Sequence, residues 1–427
     1  MNKKSLTILA GLSVLGAYAG VMDREPGIKM LNERLTLKPY VALSYTYDTN
    51  VDSTKSETDG SQWVVNPGLE VTYLAENWTL DALVWYKYHA YDNYSSQLDA
   101  SSFGEQLKWV WSNAGNGERG TTIQLRERFE QIAQDDNLSS LGGRGMNRDR
   151  KQFTGEAIVQ RRVNKYLHGA FTTDYYYLDY ENDVSEYAWL YGWSRLQLGG
   201  EAGLTLSKWT DLILSANYQW YWHDNDQDMR LDPDGIYGSR RGNLIRGDSK
   251  GWSVMGGVAT HMTEKLSYRL LAGWSSFEYG GGVSTLDGWT YQASSDWQID
   301  AANTFHIMAL ASSYYQPSER EFGSALKVHN VSFGMAKSFI RGGKLRATVD
   351  VAYRREGHEY TEYEADNYDE DIWTARFSLS YRINRLFTVY GRVEYQFEDA
   401  TGSHPAISGG LYDYDRWRAT IGLRMTW

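Results

Sequence analysis

The side chains with most to do chemically lie late in the chain. Arg346, Arg354, Arg376, Arg382, Arg392, Arg416, Arg418 and Arg424 keep one parity within their segments, and Asp350 and Glu394 share it. In an extended strand, residues two apart point to the same side. Each segment therefore turns its guanidiniums one way. A wall of Arg facing carboxylates across a narrow passage sets up a transverse field and orders water, which suits passage of small polar or anionic solutes, oligosaccharides included. Taken singly, each charge reads as half of an interior ion pair; the C-terminal Arg cluster together reads as a solute path. Glu70, Asp81, Lys87, Arg126, Arg128, Glu130, Glu201, Arg269 and Asp296 are expected on the same surface.

Other chemistries have less behind them. A hydrolase needs a nucleophile and a base that converge. His329 and Ser332, in the run His-Asn-Val-Ser, and His223 before Asp224 are isolated, so no enzyme is expected. Asp224, Asp226, Asp228, Asp232 and Asp234 are dense enough to bring Ca²⁺ to mind, but their spacing fits no calcium loop closely and they read as a solvated loop. No metal and no cofactor is expected. Two loops with Arg could narrow a passage, residues 135–150 and 225–250, and both read first as surface loops.

These residues are placed by strands. From Leu37 onward the hydrophobic period is two. The last segment is clearest: Trp417, Ala419, Ile421, Leu423, Met425 and Trp427 alternate with Arg416, Arg418, Thr420, Gly422, Arg424 and Thr426. No apolar run approaches the roughly 20 residues of a spanning helix. The pattern predicts an all-β fold, a transmembrane antiparallel up-and-down β-barrel of about 18 strands with 16 as the alternative, apolar outside and polar inside. Alternation falters at His329 and Asn330, where a bulge is expected.

Connections alternate between short turns, such as those at Asn164-Lys165 and Asn384-Arg385, and long polar stretches. Short turns belong on the periplasmic side and long loops outside, which puts both barrel termini in the periplasm. The sequence holds 33 Tyr and 17 Trp. Trp78, Trp209, Trp297, Phe387 and Trp427 fall near short turns, and Tyr47, Tyr88, Trp220, Trp222 and Trp274 near long ones, as two interfacial girdles require.

Lys3 and Lys4, the apolar stretch Leu6–Leu15 and Ala17-Tyr18-Ala19 form a secretory signal, so residues 1–19 are expected to be removed. Residues 20–36 read as a periplasmic leader and 37–427 as the barrel. Loss of Lys3 and Lys4 leaves 41 basic and 54 acidic residues, a net charge of −13, which argues against nucleic acid as a partner. With no Cys, neither disulfides nor an N-terminal lipid anchor is expected.

The closing strand, with aromatics at Trp417 and Trp427, looks like the assembly signal of outer-membrane barrels. The first strand ends in Tyr47-Asp48-Thr49-Asn50-Val51 and resembles the opening of the family called putative β-barrel porins of the second type. The resemblance covers about Lys38 to Trp427 and implies diffusion or export of polar compounds across the cell outer membrane. Expected partners are outer-membrane lipid, the barrel-assembly machinery and small polar solutes, with the protein a monomer or a trimer. A receptor driven from the inner membrane would need a plug of about a hundred residues and about 22 strands, whereas only Gly20–Thr36 precedes the first strand. The expected function is a passive channel. The competing readings are a barrel for adhesion or polysaccharide export and, behind it, a barrel hydrolase.

Overall fold

The computed structural model describes residues 27–50, 59–91, 100–113, 120–132, 150–180, 192–223, 248–263, 265–278, 285–300, 305–317, 324–340, 343–360, 368–402 and 414–427. The expected signal peptide and the Asp224–Asp234 cluster lie outside these residues. So do most of the stretches 135–150 and 225–250, and the His223 side chain.

A short strand, β1 (Ile28–Met30), precedes eighteen long ones. The first nine are β2 (Leu35–Asp48), β3 (Gly60–Leu74), β4 (Trp78–Tyr91), β5 (Ala100–Ser112), β6 (Gly120–Ile132), β7 (Arg150–Arg162), β8 (Leu167–Tyr180), β9 (Trp193–Thr205) and β10 (Thr210–His223). The rest are β11 (Ser249–Thr263), β12 (Leu266–Glu278), β13 (Thr285–Gln298), β14 (Phe305–Pro317), β15 (Ser324–Phe339), β16 (Leu345–Tyr360), β17 (Tyr368–Arg382), β18 (Phe387–Gly402) and β19 (Tyr414–Thr426). Each long strand pairs antiparallel with the next, and β19 returns to β2, with Leu423 opposite Leu43. The ring is closed. A closed ring leaves no backbone edge, which is the condition for a sheet to stand in lipid.

Side chains follow the predicted alternation. Along β17, Trp373, Ala375, Phe377, Leu379 and Tyr381 are exposed outside, while Thr374, Arg376, Ser378, Ser380 and Arg382 turn inward. Trp209, Trp297 and Trp427 are exposed beside the short turns or the chain end; Tyr47, Tyr88, Trp222 and Trp274 are exposed nearer the other rim. These bands border the apolar exterior of a transmembrane barrel. Two carboxylates interrupt it: Glu105 on β5 and Glu127 on β6 also face outward and are exposed.

Polar side chains build the short turns. Asn164 Oδ1 accepts hydrogen bonds from the N–H groups of Tyr166 and Leu167 at 2.8 and 2.9 Å. Asn384 does the same for Leu386 and Phe387 at 2.8 and 2.9 Å. Thr263 accepts from Lys265 and Leu266 at 3.1 and 3.0 Å. A short side-chain acceptor two residues upstream is what makes such residues turn formers.

Inside, large rings lie opposite glycines. Tyr40 pairs with Gly68 and Tyr390 with Gly422. A Cβ on Gly68 would sit 2.4 Å from the Tyr40 ring, and one on Gly422 2.3 Å from Tyr390, so a side chain at either position requires the ring to move.

Two local expectations change. Residues 28–30 are not part of a free leader: they pair with Leu35–Leu37, joined by a turn in which Leu31, Asn32 and Glu33 take positive φ. His329 and Asn330 carry no bulge, because the β15–β16 register runs unbroken through both. The alternation fades there because Leu326 and Val328 face inward and are buried. The register shift falls instead between His261 and Thr263. The β13–β14 ladder stops above Gln292. There Thr290 Oγ1 donates to the Ser313 carbonyl at 2.7 Å and the Tyr291 N–H to Ser313 Oγ at 3.1 Å, so side chains continue the seam.

Candidate functional site

The inner wall from β16 through β19 to β2 carries a row of register partners with alternating charge. Asp350 faces Arg376, Arg376 faces Glu394, Glu394 faces Arg418, and Arg418 faces Asp48. Inward parity on each strand supplies the residues, and the register lines them up across five strands. Arg376 donates to Glu394 at 2.7 Å, Arg392 reaches the same carboxylate from two residues along β18, and Arg418 approaches it at 3.8 Å. Asp48 is the second node. Arg416 grips it through Nε at 2.8 and 2.9 Å and Arg418 through Nε at 3.1 Å. Asp48 is 5% exposed and Arg416 3%, so this pairing also locks the first strand to the last.

The charged residues expected on the inner wall, the ten of the C-terminal strands and the nine of the earlier ones, face inward. Arg424 lies over the Tyr40 ring at 4.0 Å and pairs with Glu70. Arg354 pairs with Glu356. Arg346 and Arg382 stand nearer the short turns, opposite Ser380 and Thr388, and do not join the row. The two assembly-signal aromatics face outward, Trp417 against Tyr395 with centroids 4.6 Å apart and Trp427 at the inner rim. On the facing wall Arg126 pairs with Glu156 at 3.2 Å, Arg128 with Glu130 at 2.7 Å, and Arg269 with Glu201 at 3.0 and 2.5 Å.

Two cavities lie along the wall from β8 to β17 among the described residues. One, of about 550 Å³, touches Arg269, Asp296, Ser332, Asp350, Thr374 and Arg376. The other, of about 240 Å³, is lined largely by amides and hydroxyls, among them Gln197, Asn217, Ser253, Ser275, Thr290 and Gln292. Toward the long-loop rim the β8–β14 wall carries a buried aromatic cluster of Tyr176, Trp193, Tyr221, Phe277 and Tyr315. Beside it Arg195 donates to Asp174 at 2.5 Å, with both side chains at most 2% exposed.

His329 and Ser332 separate. His329 faces outward and meets the Tyr291 hydroxyl at 3.3 Å, whereas Ser332 lines the 550 Å³ cavity. Opposite faces of one strand cannot supply a nucleophile and its base.

A second constellation was not singled out in the sequence. Glu356 and His358 on β16 and Glu370 on β17 face inward and are buried, and Glu356 opposes Glu370 in register. At this height the outer surface carries the exposed pair Arg355–Asp369, at 2.6 Å, so the group stands above the apolar band. Burial alone would push the His358 imidazole down, yet the Glu356 and Glu370 carboxylates outweigh it and hold its pKa up to about 9. Glu-x-His within a strand whose even positions face inward was the available signal.

A closed antiparallel cylinder with an apolar outside and a charged inside defines a transmembrane β-barrel. Residues 224–425 match the family described as putative beta-barrel porin 2, whereas the opening strand that resembles that family lies outside the matched residues. The match takes in β11 through β19, hence most of the charged row. No curated protein matches the sequence. Among solved structures, the chain is similar to the FrpB iron transporter of Neisseria meningitidis at 10% identity and a TM-score of 0.44, covering 86% of this chain and 63% of that one. It is also similar to the siderophore receptor PiuA of Acinetobacter baumannii, at 9% identity and a TM-score of 0.39, covering 91% and 82%. The ferric-catecholate import receptor Fiu of E. coli K12 gives 9% and 0.39, covering 95% and 82%. The chain spans less than two thirds of FrpB.

Proposed function

We propose that the protein is a channel of the cell outer membrane, passing small polar or anionic solutes by diffusion. The observation that carries this reading is the charged row Asp350–Arg376–Glu394–Arg418–Asp48 beside a 550 Å³ cavity inside the cylinder. A barrel of eighteen strands is wide enough for a wet interior, where one of about eight would be filled by side chains. The extra guanidiniums of Arg392 and Arg416 weight this wall toward cations, which attracts anions. Amides and hydroxyls along the smaller cavity suit uncharged polyols as well. Lipid contacts the apolar exterior, and the strand ending in Trp427 serves the assembly machinery.

Planar-bilayer recording tests the reading. The purified protein is expected to give discrete conductance steps with a preference for Cl⁻ over K⁺. The double charge reversal Arg376→Glu/Arg392→Glu is expected to move the reversal potential toward K⁺. A fully inserted protein that stays electrically silent overturns the channel and turns attention to adhesion or polysaccharide export.

A further inference from the structure

Among the described residues, Glu356, His358 and Glu370 are the one group whose ligand atoms converge as a metal site requires, all within 4.8 Å of one another. The register explains the convergence. Glu356 and His358 are two apart on β16, and Glu370 stands opposite Glu356 on β17. His358 is 1% exposed, Glu356 5% and Glu370 0%. Two buried carboxylates set directly opposite repel each other, and a cation held between them relieves that repulsion.

The distances say which kind. Glu370 Oε2 lies 3.4 Å and Glu356 Oε2 3.6 Å from His358 Nε2. Charge-assisted N–H···O bonds run to about 2.7–2.9 Å, so both contacts are long for an imidazolium clasped by its partners. A tetrahedral ion with N and O ligands at about 2.0–2.2 Å holds those atoms roughly 3.3–3.5 Å apart. The two carboxylate–imidazole distances are those of ligands around an ion. The surroundings hold the donors in place: Arg354 pairs with Oε1 of Glu356 and leaves Oε2 to the site, and the Tyr368 ring stacks on the imidazole at 4.0 Å and 12°. The grip of Arg354 on the other oxygen of a ligating carboxylate belongs to the usual surroundings of a protein-bound metal.

We propose that Glu356, His358 and Glu370 bind one divalent transition-metal ion of the Zn²⁺ type. An imidazole nitrogen with two carboxylate oxygens suits such an ion, whereas Mg²⁺ and Ca²⁺ take oxygen ligands. The ion replaces the proton on His358 Nε2 and cross-links β16 to β17 above the apolar band, at the root of the connection formed by residues 361–367.

The full-length barrel in detergent, stripped with EDTA and dialysed, is titrated with Zn²⁺ against a chromogenic chelator, with Mg²⁺ in parallel. One equivalent of Zn²⁺ is expected, undisturbed by Mg²⁺. His358→Gln and Glu370→Gln, checked for folding by heat-dependent gel mobility, are expected to bind about tenfold or more weakly. If neither variant folds, X-ray absorption at the zinc edge of the wild-type protein decides, with one nitrogen and two carboxylate oxygens expected in the first shell. No stoichiometric uptake, equal affinity in the folded variants, competition by Mg²⁺, or a shell of water oxygens alone overturns the proposal.

Discussion

Asp48 carries the sharpest consequence at the scale of single residues. Its carboxylate accepts from Arg416 and Arg418, and it stands where the ring of strands is sewn shut. Removing one member of a buried pair leaves the other charge in place without its counter-charge, which costs about 3–5 kcal/mol. Asp48→Asn is therefore expected to lower the unfolding free energy of the refolded barrel by roughly that amount, and Arg418→Gln, at a more exposed site, by less. Denaturant titration followed by Trp fluorescence measures both; equal, small effects would show that the seam depends on its backbone ladder alone. The sequence displayed Asp48 only within the Tyr-Asp-Thr-Asn-Val run. Its role could not be read there, because Arg416 lies 368 residues away and the pairing depends on closure of the ring.

At the scale of strands, facing was legible and register was not. Period-two alternation placed every expected charge on the inner wall, because a side chain's side depends only on parity. Which charges meet depends on how far each strand slides past its neighbour, and loop length leaves that open. The row from Asp350 to Asp48 therefore appears only in the structure. The failure at His329 has a related cause: inward Leu326 and Val328 break the rule that inside means polar, and the sequence signal reads that as a bulge. Turn chemistry was local and so was readable. Asn164 and Asn384 each accept two backbone N–H groups, and a net hydrogen bond contributes about 0.5–1.5 kcal/mol. Asn384→Ala is expected to destabilise the barrel by roughly 1 kcal/mol, with Asn384→Asp nearly neutral. Equal losses in the two variants, read from urea midpoints, would assign the effect to the amide nitrogen rather than to Oδ1.

The whole molecule is a cylinder whose outside must suit lipid, and Glu105 and Glu127 are the places where that rule is tested. Glu127 projects outward from β6 between Leu107 on β5 and Gly155 on β7, and Glu105 stands opposite Phe129. A carboxylate facing the hydrocarbon region is unfavourable, by less than the roughly 2–4 kcal/mol that an Arg or Lys costs at mid-depth. If lipid covers this wall, Glu127→Leu removes that penalty and is expected to stabilise the barrel in phosphatidylcholine vesicles by about 1 kcal/mol while leaving its hydrodynamic size unchanged. A wall covered by a second copy responds in the opposite sense, because the carboxylate then has polar company at the interface and the variant weakens association. Equilibrium unfolding together with analytical ultracentrifugation in detergent separates the two. A stabilised particle of unchanged mass is the result a monomeric, lipid-facing cylinder requires, and a destabilised one that falls apart into smaller particles makes β5 and β6 part of an oligomer.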